Sequence, residues 1–127
     1  MTGSDVQLDV RVREATPQTC IIEVAGELTA FGEDALMAAY NEACRPGVSN
    51  VILDFAGLEH MSSSGIGLLV TLLIRAQRQG QWLVACGLND HYCEIFRITR
   101  LDEAIAIYAD RAAALAAIDG AGAQGGR

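Results

Sequence analysis

The chain has 127 residues, 51% of them apolar, which is enough for one hydrophobic core in one domain and argues against general disorder. Its net charge of −7 comes from 16 acids and 9 bases, all of them arginine. Such a balance excludes the basic footprint of a nucleic-acid binder and the polybasic segment that holds anionic lipid, and leaves a protein as the partner it suits.

In chain order, "VQLDVRVR" (6–13) alternates apolar and polar residues and predicts a half-buried strand. "ATPQT" (15–19) is a turn, and "CIIEVAGEL" (20–28) a second strand closing a hairpin. Residues 32–44 predict a helix with Leu36, Ala39, Tyr40 and Ala43 inward and Glu33, Asp34 and Glu42 in solvent. Pro46 and Gly47 stop it. "VILDF" (51–55) reads as a strand covered on both faces. A serine–glycine loop follows, then a helix from about Ser64 to Gln79 ended by Gly80. "WLVAC" (82–86) is another buried strand, with Trp82 as packing. Asn89 caps a short helix to about Ile98, "AIAIY" (104–108) is a weak last strand, and Asp110 caps a helix over Arg111–Ile118. Residues 1–5 and 119–127 carry no apolar pattern and are expected to be flexible, leaving a domain over 6–118. The order β-β-α-β-α-β-α-β-α predicts an α/β domain: an opening hairpin, a mixed, mostly parallel sheet and four helices.

Cys20, Cys44, Cys86 and Cys93 form no C-x-x-C pair, and with His60 and His91 they assemble no zinc spacing. They read as free thiols in a reducing compartment. The longest apolar run, Leu68–Ile74, is far short of the roughly 20 residues of a membrane span. "MTGSDVQLDV" has neither a basic nor an apolar signal region, so a cytoplasmic protein without membrane insertion is expected.

The stretch that asks for an explanation is His60–Leu69, "HMSSSGIGLL", at the carboxyl end of a strand. Open α/β sheets gather their sites at such ends. Capping needs one serine of Ser62, Ser63 and Ser64, and no capping box exists, since Ile66 stands three places after Ser63. Gly65 and Gly67 weaken the first turn, so something other than helix stability requires them. The result is a surface of hydroxyls and N–H groups at a positive helix end, where a phosphate is tolerated. Enzymatic patterns fit worse. The glycine of a G-x-S-x-G elbow is missing, a Walker loop needs a lysine the chain lacks, and His60 or His91 would have to reach Ser63 to serve as a base. Ligand binding or hydrolysis would show as a deep pocket with a histidine on Ser63.

"VILDFAGLEHMSSSGIGLLVTLL" resembles the central signature of STAS domains, specifically the bacterial anti-sigma factor antagonists, whose motif is D-S-S-G-[LIV]-G-x-L. "VAGELTAFGEDAL" is similar to the family's G-E-L-D and first helix, and "ITRLDEAIAIYADRAAALAAI" to its carboxyl-terminal block. The resemblance covers about residues 6–118. It implies a binding module, not an enzyme, with no cofactor or metal. Its partner is an anti-sigma factor that is also a serine kinase, docked until it phosphorylates the first serine of the motif. On this chain that serine is Ser63, with Ser62 and Ser64 as alternates. The resemblance also implies a partner surface of Glu27, Thr29, Ser62, Ser63, Ser64, Gly65, Ile66 and Gly67, the glycines giving the kinase access, on a monomer or weak dimer. Ser62 and Thr29 stand where the family has acids. Single-domain STAS subunits of lipid-type ABC transporters are the alternative the resemblance carries.

Overall fold

The structure, a computed structural model, describes residues 8–122. Strand β1 (Leu8–Thr16) and strand β2 (Thr19–Leu28) form an antiparallel hairpin turned by Pro17 and Gln18. Helix α1 (Glu33–Ala43) follows, then β3 (Asn50–Asp54), β4 (Leu58–Met61), α2 (Ser63–Arg78), β5 (Trp82–Cys86), α3 (Asp90–Ile98), β6 (Ala106–Tyr108) and α4 (Arg111–Gly122). The sheet order is β1-β2-β3-β5-β6, and every pairing other than β1 with β2 is parallel. This is the mixed α/β architecture that the order of elements predicts.

Period-two alternation divides the strands between two faces. Cys20, Ile22, Val24, Val51, Leu53, Leu83 and Ala85 turn to one face, against Leu36 and Tyr40 of α1, Leu69 and Leu72 of α2 and Phe96 of α3. Ile21, Ile52, Val84 and Cys86 turn to the other, where Ala114 and Ile118 of α4 cover them. Both faces of β3 are therefore buried, as its unbroken apolar run requires.

At the tip of this second face, Arg111 donates from Nε to Asp54 Oδ2 at 2.9 Å and also pairs with Glu23, which Arg13 holds from the other side at 2.9 Å. Asp54 is only 8% exposed, and its other oxygen accepts from Ala56 N at 3.0 Å. The arginine hydrogen bonds hold the Glu23 carboxyl below its usual range.

Four differences from the sequence reading exceed a single residue. Strand β1 runs on to Thr16, and β6 begins at Ala106 because Leu101–Glu103 form a 3-10 turn ahead of it. Helix α4 continues to Gly122, past Ile118, into part of the stretch expected to be flexible. The other stretches expected to be flexible, 1–5 and 123–127, and the first two residues of the predicted strand, 6–7, lie outside the described residues. The fourth difference, strand β4, bears directly on the site.

Candidate functional site

The chain leaves β3 at Asp54 and does not go straight into a helix. Phe55 N donates to Cys86 O at 2.8 Å, and Gly26 N donates to Gly57 O at 3.0 Å, so the turn is tied to both neighbouring strands. Residues 58–61 then pair in parallel with the last residues of β2, with His60 opposite Glu27 and Met61 opposite Leu28. Ser62 N completes the docking by donating to Leu28 O at 3.0 Å. These bonds fix where α2 begins.

The three serines have separate places. Ser62 has extended backbone, φ −84° and ψ 173°, and its Oγ accepts from Gly65 N at 3.1 Å, so it is the N-cap of α2. Ser63 and Ser64 are the first helical residues and both are exposed. Their own N–H groups are among those of the first turn that have no intrahelical acceptor, at the positive end of the helix dipole.

The glycines also separate. Gly67 is exposed, and a Cβ there would meet nothing within 4 Å. Gly65 is buried against Leu28 and Met61 and cannot face a partner, so its place in the expected contact surface is corrected. It is glycine because α2 starts tight against β2. Ile66 is half-buried against the main core. Thr29 is half-buried too, its Oγ1 accepting from Phe31 N at 3.2 Å to cap a 3-10 turn over Ala30–Gly32. Glu27 is exposed.

His60 does not approach Ser63 as a base. Its Nδ1 lies 3.4 Å from Tyr92 Oη, which also accepts from Met61 N at 2.8 Å. The depression lined by Asp90, Cys93, Glu94, Arg97, Asp102 and Ile107 belongs to α3 and its surroundings and contains no serine. Ser63, Ser64 and Gly67 together form an exposed tip at the start of α2, open to contact with a macromolecule. Among the described residues no helix is long and apolar enough to cross a membrane.

One residue at this tip was not singled out from the sequence. Phe31, in the 3-10 turn that packs on α2, is 95% exposed. Val70 and Ile74 of α2, 37% and 45% exposed, continue the stripe that starts at Ser63 and Gly67 with helical spacing. In sequence Phe31 falls outside any apolar period, a faint sign that it does not serve the core.

The STAS domain family model (Mlab, STAS domain) matches residues 12–108. The chain belongs to the STAS domain family. Among solved STAS-like structures, an anti-sigma factor antagonist from Mycobacterium paratuberculosis superposes with a TM-score of 0.76 at 17% identity, over 89% of this chain and 95% of that one. The Bacillus cell fate determinant SpoIIAA in its phosphorylated form gives 0.69 at 20% identity, over 87% and 99%. A sulfate transporter family protein from Wolinella succinogenes gives 0.73 at 16% identity, over 84% and 89%. At such identities the shared feature is the STAS fold.

Proposed function

We propose that this STAS domain is an anti-sigma factor antagonist, a non-enzymatic binding module that docks on a serine-kinase anti-sigma factor in the cytoplasm and is released when Ser63 is phosphorylated. The observation that carries this reading is the separation of the serines: Ser62 is spent on the cap, while Ser63 stands exposed in the first turn. A phosphate there adds about −1.5 to −2 charges, which the helix end stabilises locally. The fold survives, and a docked partner meets the new bulk and charge at the contact. Losing about 3 kcal/mol of contact weakens binding more than a hundredfold. The likeness to SpoIIAA, a protein known in a phosphorylated form, supports the reading.

The positions where the antagonist motif has acids fit it as well. Ser62 and Thr29 are both caps here. Aspartate caps helices equally well, so these substitutions keep the geometry and remove charge.

A second reading rests on that missing charge and on the likeness to the sulfate transporter family protein. In it the domain is an unphosphorylated subunit of a membrane transporter complex. Affinity purification from the native host, with identification of what is retained, separates the two. A serine kinase supports the antagonist, and an ABC ATPase supports the transporter subunit.

A further inference from the structure

We propose that Phe31 is the anchor with which this chain grips its protein partner, entering an apolar pocket that has a basic rim. The inference rests on the reading of the Ser63 tip as a docking surface and names what recognises it.

A lone exposed apolar side chain needs no explanation. Phe31 differs in how firmly it is presented. Thr29 caps the turn from one side. On the other, Gly32 is buried so closely against Leu8 that a Cβ would stand 2.7 Å from Leu8 Cδ2. Gly32 N also donates to Thr29 O at 2.9 Å, and the turn packs on α2. The backbone under Phe31 is thus held on three sides while its ring stands 95% in solvent. A fixed turn presenting an aromatic ring loses little freedom on binding, and such rings are the usual centres of binding energy in an interface. Val70 and Ile74 extend apolar surface along the adjoining helix.

Charge selects the rim. Glu33 and Asp34 follow Phe31 in the first turn of α1, and exposed Glu27 and Glu59 lie on the ends of β2 and β4. The end of β2, the 3-10 turn, β4 and α2 up to Ile74 contain no arginine, and the chain has no lysine. Carboxylates flank the Phe31 end of the patch, while Arg75 and Arg78 close its far end on α2. The Phe31 end therefore complements an apolar pocket with a basic rim, and offers nothing to nucleic acid or anionic lipid.

The test places photo-reactive p-benzoylphenylalanine at position 31, and separately at position 67, in the full chain expressed in its native host. Irradiation is followed by mass spectrometry. Cross-linking from both positions to one protein, at an apolar site flanked by lysine or arginine, is the expected result. That partner is then purified and titrated with the wild type and with Phe31→Ala, whose fold is checked by circular dichroism. Affinity should drop at least about thirtyfold, and wild-type affinity should weaken as salt rises. Cross-linking from position 67 but not 31, or a loss under threefold, overturns the anchor and leaves the docking surface standing. Cross-linking from neither position overturns both. Ser63→Ala with the probe at position 31 must keep the cross-link, so a failure of phosphorylation is read separately.

Discussion

Gly65 lies directly on the backbone carbonyl of Leu28: a Cβ at position 65 would stand 2.3 Å from Leu28 O and 2.9 Å from Met61 Cγ. The same carbonyl accepts from Ser62 N, so one oxygen of β2 sets both the cap and the first turn of α2. Backbone cannot move aside as a side-chain end can. Gly65→Ala is therefore expected to cost about 3 kcal/mol, at the upper end of overpacking, and to shift the serines. Chemical denaturation and the Ser63 amide resonance check both effects.

Gly67→Ala should behave in the opposite way. Its Cβ meets nothing, and the residue is helical, so the variant should gain about 0.5–1 kcal/mol. If the tip is a contact surface, the added methyl also weakens partner binding. A variant more stable yet binding less tightly separates access from folding.

Ser62→Ala removes the α2 cap and should cost about 1 kcal/mol, or about 4 °C in Tm for a domain of this size. Ser62→Asp should keep the wild-type stability or exceed it slightly, because a carboxylate caps as well and complements the dipole. Thermal melts at low salt read the difference.

The ion cluster at Arg111 predicts an acid limb. The folded Glu23 carboxyl titrates below its unfolded value of about 4.3, chiefly through its Arg111 hydrogen bond. Its stabilisation is therefore complete above that pH and is lost as pH falls through the lower, folded value. Arg111→Met should lose about 2 kcal/mol at pH 7, between an exposed and a buried pair, since it also leaves the nearly buried Asp54 without its cation. The gap to wild type should narrow below pH 4. Urea midpoints across pH 3–7 test this.

The cluster also guards a thiol. Burial, with the Asp54 carboxylate beside it, pushes Cys86 up to about 12, and the residue is fully enclosed under α4. At pH 8 a thiol reagent should label Cys44 and Cys93, both half-buried, before Cys20 and Cys86. Arg111→Met should hasten labelling of Cys86 more than that of Cys20, which sits on the opposite face.

Much of this arrangement was legible beforehand because it follows from periodicity and cap chemistry. Leu36, Ala39, Tyr40 and Ala43 form the buried side of α1. Asn89 and Asp110 accept from Tyr92 N and Ala113 N, as their positions require. Gly80, with φ +68°, ends α2. Strand β4 was hidden because it has only four residues, three of them paired, with Glu59 and His60 exposed between Leu58 and Met61, so no alternation builds up. Its existence is a tertiary fact, fixed by the carboxyl end of β2. The roles of Gly65 and Gly67 were hidden for the same reason. Sequence showed two glycines near a helix start, and only the position of Leu28 O makes one of them obligatory. Phe31 carried no periodic signal, since its turn is fixed by Thr29 and Leu8, distant from each other in the chain.

The most direct measurement is phosphosite mapping. The protein is incubated with ATP and the proposed partner, a serine-kinase anti-sigma factor of its host, digested, and sequenced by mass spectrometry, with Ser63→Ala in parallel. The account predicts one phosphate, on Ser63, absent from the variant, and loss of kinase binding in the modified wild type. A chain that stays unmodified at positions 62–64, or that carries the phosphate on the capping Ser62, contradicts it.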